Sequence, residues 1–387
     1  MQKASWLDDL KLRLSWGQTG QQGIGTDFAY QTVYTVSNDY AMYPFGTTYY
    51  NTARPSATNP KLKWETTTTW NGGLDFSAKN GRFVWNFDAY YRETKDLLQY
   101  KTISVGTAPA SILPMNIGSL KNYGVEFSFD VKPIVTKHFT WDLQYNVAWN
   151  HNEITSLAGD TGDDDYRIVT GETISRGNST SIMAHHVGNP ANSFWVYQQV
   201  YDANGKPLEG VYVDRNADGQ INDKDRYYYK SPAAPVIMGL TTKFLYKRWD
   251  LSLAFHASIG NYIYYNYLSD KGSISSSGLY SNSAFTNTFP EAVALGFTGE
   301  GTEYFLSDYF VRNASYLKCS NITLGYSFPA WVKNGKTKLD GGRIFLTAQN
   351  PFFITKYKGL DPEVSSGVDK NPYPRPMSFQ LGVNLNF

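Results

Sequence analysis

The segment DRNADGQINDKD, residues 214–225, carries oxygen-bearing side chains at the spacing that suits a calcium ion. Asp214, Asn216 and Asp218 fill its first, third and fifth positions, Gly219 the sixth and Asp225 the twelfth. Three side-chain oxygens, the backbone carbonyl of Gln220 and a closing carboxylate from Asp225 would give a hard cation the oxygen shell it prefers. Gly219 would permit the sharp turn and Ile221 would anchor it. The closing residue is Asp where an EF-hand uses the longer Glu, and flanking helices are not evident. A polar Asn and Asp turn inside a long loop is therefore the competing reading.

Other chemistry-bearing residues are sparse. His185 and His186 are adjacent, with no further ligand at metal spacing, which predicts a solvated loop. The run Asp163, Asp164 and Asp165 predicts a solvated turn, with a cation or partner contact as the lesser option. The aromatic clusters YAMYPFGTTYYN (40–51) and GNYIYYNYL (260–268) could stack on sugar rings or serve as rim girdle and lid contacts. The single cysteine, Cys319, excludes an internal disulfide framework and reads as a small apolar filler in a strand. No Ser-His-Asp set, P-loop or paired-carboxylate pattern is present, which argues against an enzyme. With 35 Lys plus Arg against 34 Asp plus Glu, charge gives no reason to expect nucleic acid.

What must position these residues is a set of strands. The chain holds 30 Tyr, 22 Phe, 10 Trp and 33 Gly, a composition suited to strands and turns. HFTWDLQYNVAWN at 138–150 places Phe139, Trp141, Leu143, Tyr145, Val147 and Trp149 on one face and Asp142, Gln144, Asn146 and Asn150 on the other. Similar alternation recurs at 10–16, 69–76, 83–93, 123–131, 236–246, 249–259, 321–328, 343–350 and 378–387, making ten candidate strands. Most are about 9 to 13 residues long, nearer the requirement of a tilted membrane strand than of a soluble domain.

The connections alternate long and short. Tight turns at 78–82, 132–137, 246–248 and 332–342 separate loops of roughly 45, 20, 80, 50 and 20 residues. A meander puts all the long loops on one rim, as outer-membrane barrels do. The polar face carries Lys11, Arg13, Asn86, Asp88, Arg92, Glu126, Asp130, Asp142, Asp250 and His256, a wet lining. The other face carries Trp16, Trp70, Phe83, Trp85, Phe87, Phe127, Phe129, Trp141, Trp249 and Phe255, a lipid-facing band. The last strand closes on the aromatic Phe387, like the C-terminal signature of outer-membrane proteins.

Eight ordered segments carry a resemblance: LRLSWGQTGQQ (12–22), NPKLKWETTTTWNGGLDF (59–76), DAYYRETKDLL (88–98), NIGSLKNYGVEFSF (116–129), DRNADGQINDKDR (214–226), SYLKCSNITLGYSFP (315–329), ITKYKGLDPEV (354–364) and the terminal strand. Together they resemble the C-terminal part of the SusC/RagA family of TonB-linked outer-membrane transporters. The resemblance implies a barrel of roughly 22 strands, an N-terminal plug, a SusD-like lipoprotein lid, energy from TonB, and import of glycan oligosaccharides or peptides. These residues show no signal peptide, TonB box or plug pattern, which suits a fragment of such a transporter.

The resulting expectation is an all-β chain, about ten antiparallel strands of a large transmembrane up-and-down β-barrel with long extracellular loops. It spans residues 1–387 and sits in the outer membrane, with residues 151–234 forming the longest loop and carrying the calcium-type motif. That loop holds 12 acidic against 7 basic residues, an excess calcium would offset. A passive porin and a secreted soluble glycan-binding β protein are the rival readings.

Overall fold

The structure is a computed structural model. It describes residues 6–21, 23, 30–37, 42–103, 106, 112–157, 166–177, 179–274, 280–281, 284–285, 289–299, 304–330, 340–370 and 372–386. The run Asp163–Asp165 and the terminal Phe387 lie outside the described residues.

Ten long strands form one antiparallel meander: β1 (Leu7–Gln21), β2 (Glu65–Ala78), β3 (Phe83–Lys95), β4 (Ser119–Val135), β5 (Phe139–Ser156), β6 (Val236–Tyr246), β7 (Trp249–Ile259), β8 (Tyr316–Phe328), β9 (Gly341–Thr355) and β10 (Ser378–Asn386). Each expected strand is present, and most are longer than the alternation alone marked. The sheet is open, with β1 and β10 as its two edges.

The short turns follow from local chemistry. Lys79, Asn80 and Gly81 all take positive φ between β2 and β3, and Lys247 does so in the two-residue turn between β6 and β7. The segment 132–137 departs from its expected role as a turn. Strand β4 continues to Val135 through a register shift between Val131 and Ile134, so only residues 136–138 turn the chain. A bulge there keeps the ladder going while re-aiming the strand.

Register then sorts the faces. One row across the sheet reads Leu10, Phe76, Trp85, Phe129, Tyr145, Leu240 and Phe255. Toward the short-turn rim a second reads Phe139, Tyr246, Trp249, Tyr326, Ile344 and Val383. Toward the other rim, Trp16, Trp70, Tyr91 and Tyr123 form a third. The second and third rows bracket a band of aliphatic and aromatic side chains that includes the first, the arrangement of an outer-membrane wall. The interval from Phe139 to Trp149, at about 3.3 Å per residue and a tilt near 40°, spans about 25 Å.

The long connections are not loose. Residues 168–173, 181–185, 193–197 and 226–228 make a second, four-stranded sheet, and 262–264 pairs with 311–313. Ile182, Met183, Phe194, Val196, Tyr264, Phe310 and Val368 are buried together in a core contributed by three different connections. A crown with its own hydrophobic core therefore stands on the long-loop rim. Apolar burial therefore does much of the work of ordering the longest connection.

Candidate functional site

The polar face of the sheet is built from cross-strand charge and amide pairs. Arg13 on β1 forms a fork, its Nε and Nη2 donating to Asp75 at 2.8 Å and its Nη1 and Nη2 to Asp88 at 2.9 and 2.8 Å. Asp88 sits two strands away, and the register places Gly73 between them. A Cβ at Gly73 would meet Asp88 Oδ1 at 2.5 Å and Arg13 Cζ at 2.7 Å, so only glycine leaves the fork room. Gly325 does the same beneath Arg343 and Asp250, which pair at 2.6 Å. Asn86 donates to Asp75, and Tyr90 donates to Asn150 at 3.0 Å. Thr69, Asn71, Asp88, Arg92, Asn122 and Glu126 line one recess of this wall. Every residue expected on the wet lining lies on this face by register.

Where the wall meets the crown lies a cavity of about 390 Å³, lined by Asn150, Asn152, Ser193, Tyr229, Lys230 and Tyr262 among others, with no carboxylate in the lining. Tyr229 and Tyr262 meet edge to face at 6.1 Å, with the Lys230 ammonium 5.5 Å from each ring. Amides, hydroxyls and aromatic rings around the one Lys230 ammonium suit a polar ligand without net positive charge.

Buried polar struts hold the crown in shape. Asp308 accepts from the Tyr227 hydroxyl at 2.6 Å and from the Gln199 N–H at 3.1 Å, and burial pushes its carboxyl up. Asp369 accepts from the Tyr357 hydroxyl at 2.5 Å and the Tyr267 N–H at 3.2 Å, and burial pushes it up to about 6. The connection 356–377 is strapped to the lining of β8: Glu363 accepts from Lys318 at 2.8 Å and Tyr316 at 3.0 Å and pairs with Arg375, which also binds Asp361. Burial pushes the Glu363 carboxyl up, but Lys318, Tyr316 and Arg375 outweigh it and hold it below its ordinary value.

The calcium-type loop is compact. Asp214 Oδ2 accepts from the Gly219 N–H at 2.8 Å, Asn216 Oδ1 from Asp218, and Asp218 Oδ1 from Gln220. Gly219 takes a positive φ of 78° at the turn. Asp225 is fully buried and accepts N–H bonds from Arg215, Asn216 and Asn222. Those bonds, Asn222 foremost, hold its carboxyl below the ordinary range despite burial. Asp214 Oδ1 is buried with no hydrogen-bond partner. Asp214, Asn216, Asp218, Gln220 and Asp225 thus share one loop, yet among the described residues no three His, Cys, Asp or Glu side chains converge as a metal group. Ile221 is 46% exposed and does not anchor the turn.

His185 and His186 depart from the solvated loop expected of them. His185 ends a strand, accepts from the Asn192 N–H and has its pKa lowered by burial, while His186 stacks on Tyr228 at 4.4 Å. The 260–268 cluster is largely core, with Ile263, Tyr264, Tyr265 and Leu268 buried. In the other cluster Tyr43, Phe45, Tyr49 and Tyr50 are exposed on a hairpin, 42–45 against 48–51. Cys319 is buried in β8, as expected of a filler. The strap residues Glu363 and Arg375 escaped sequence reading, since neither sits in a recurring pattern.

A lipid-facing band between two aromatic rows, a polar inner wall and loops gathered on one rim define a segment of an outer-membrane β-barrel. The family model of TonB dependent receptor-like β-barrels matches residues 3–255, and the chain belongs to that family. It is 59% identical to the TonB-dependent receptor SusC of Bacteroides thetaiotaomicron over 382 residues, 98% of this chain and 38% of that protein. A TonB-dependent receptor of Formosa agariphila is 29% identical over 416 residues, covering 100% of this chain and 41% of its own length. The RagAB peptide importer in its open-open state superposes with a TM-score of 0.81 at 25% identity, over 100% of this chain and 41% of that one. The chain therefore spans about two-fifths of the length of these relatives. The SusC/RagA resemblance is borne out.

Proposed function

We propose that the chain is the wall and crown of an energy-coupled importer, its long-loop rim facing the exterior, that works with TonB and a SusD-like lipoprotein lid to take up oligosaccharides or peptides. Identity to SusC supports the class of activity. The observation carrying the reading is the cavity at the junction of wall and crown, whose Asn150, Asn152, Tyr229 and Tyr262 offer amides and ring faces at the mouth of the polar wall. That lining favours a glycan over a peptide, because sugar rings use aromatic faces and neutral hydrogen-bonding groups together. The test is uptake by cells carrying the full-length protein and its lipoprotein, with Tyr229→Ala and Tyr262→Ala variants. Loss of uptake without TonB and a several-fold loss in the variants are expected. Uptake that persists without TonB would favour a passive porin.

We also propose that residues 214–225 bind calcium. The buried, partnerless Asp214 Oδ1 is the support, because a buried acceptor without a donor is costly and a cation would satisfy it. A weak site of about 10⁻⁴ to 10⁻³ M is of the order found in extracellular modules. Replacing Asp214 and Asp218 by Ala should abolish calcium-dependent protection of this loop from protease while leaving barrel folding intact. Equal protease sensitivity of the unmutated protein with calcium and with chelator would end the proposal.

A further inference from the structure

Just past the end of β9 lies a cavity of about 200 Å³ lined by Arg312, Lys356, Lys358, Tyr265, Tyr357 and Glu291, with Asn313 beside them. Three cations face one carboxylate, and that carboxylate is already engaged. Glu291 Oε1 accepts from Arg312 Nη2 at 2.7 Å and from the Tyr309 hydroxyl at 2.6 Å. The Arg312 guanidinium is further fixed over the Tyr309 ring at 4.2 Å. Lys356 and Lys358 are exposed and form no ion pair among the described residues.

The position of this basic cluster is as informative as its charge. Lys356 follows β9 directly and shares the parity of Phe352 and Ile354, which are 42% and 61% exposed on the lipid-facing side. Ile354 is paired with Leu317, which is paired with Ala257, closing the aliphatic band at this rim. Past the end of the strand the exposure keeps the same alternation, with Lys356 and Lys358 exposed and Tyr357 buried between them. Lys356 and Lys358 thus lie just above the last apolar row, at the level where long basic side chains meet lipid headgroups.

We propose that this cavity holds the phosphate of an outer-leaflet lipid whose acyl chains lie on the row of Leu317 and Ile354. The proposal rests on the orientation assigned above, with the long loops outside. Guanidinium and ammonium groups supply charge-assisted hydrogen bonds to phosphate oxygens, and the aliphatic row accepts the chains. A free anion would have no use for that row. A substrate in transit would pass on the opposite, polar face of the sheet.

The experiment uses purified full-length protein in detergent and needs no uptake, so its result is independent of whether the importer reading holds. Native mass spectrometry counts retained phosphatidylglycerol against phosphatidylcholine of the same acyl length, with heat-modifiable gel mobility confirming that each variant is folded. Preferential retention of phosphatidylglycerol is expected. Lys356→Gln and Lys358→Gln should each reduce it about five-fold, from about 1 kcal/mol per cationic side chain at an anionic surface. Lys137→Gln, on the short-turn rim, should leave it unchanged. Undiminished retention in both Lys356→Gln and Lys358→Gln, an equal loss in Lys137→Gln, or displacement by millimolar inorganic phosphate would overturn the proposal, the last by marking a free-anion pocket.

Discussion

Gly73 is the smallest residue in the wall and one of the most constrained. The Arg13 fork reaches across it to Asp88, and the side-chain oxygens and guanidinium occupy the space a methyl would need. Gly73→Ala should therefore lower stability by about 1 to 3 kcal/mol, in the range for overpacking of a well-filled site. Gly17→Ala lies on the same face with nothing within 4 Å and should be neutral or better. Thermal unfolding in detergent compares them, and equal midpoints would remove the steric argument. Asp369 gives a second residue-scale expectation. Its folded pKa, about 6, lies above the ordinary 3.8, so the folded state holds the extra proton between those values and loses stability as pH rises through that window. The crown segment 264–269 should be less protease-resistant at pH 7 than at pH 5, and Asp369→Asn should flatten the difference. The same pH response in the variant would assign the effect elsewhere.

At the scale of elements, the strands were legible because a two-sided environment imposes a two-residue period over the whole width of the bilayer. That is why β6 and β7 match their alternating segments end to end, Val236–Tyr246 and Trp249–Ile259. The crown was not legible, because its core is assembled from short strands and turns in three connections, none long enough to show a period. His186 illustrates the loss: its partner Tyr228 is remote in sequence, and only the fold brings them together. The site was half legible, its charged lining apparent from alternation but its cavity and strap dependent on tertiary contacts. The face assignment makes a direct prediction. Leu143 shares a row with Thr242, Leu253 and Ile322 between the aromatic rows, so Leu143→Arg should cost about 2 to 4 kcal/mol near the midplane. Asp142→Asn, one residue away on the polar face opposite Lys243, should be mild. Folding titrations in lipid bilayers would expose a reversed assignment by giving the opposite order.

The whole sheet raises the question of what its edges do. Strand β1 presents one free edge over Leu7–Gln21 and β10 another over Ser378–Asn386, and the two are not paired with each other. Backbone groups left unpaired in hydrocarbon cost several kcal/mol each, so neither edge is tolerable in a membrane as it stands. Closing ten strands on themselves would give an interior only slightly wider than that of eight-stranded barrels, which side chains alone fill. Here the strap of residues 356–377 already lies against the inner wall through Glu363 and Lys318, and the Arg13 fork projects from the same face. A narrow closed barrel would have to expel them. Both edges are therefore expected to pair with strands that this chain does not contain, in keeping with its covering two-fifths of its relatives. Amide exchange reads this strand by strand. In residues 1–387 alone, refolded with lipid, β1 and β10 should exchange rapidly while β4 to β6 stay protected; in the full-length protein all ten should be protected. Protection of both edge strands in the isolated chain, together with a heat-modifiable band, would mean that ten strands close without help.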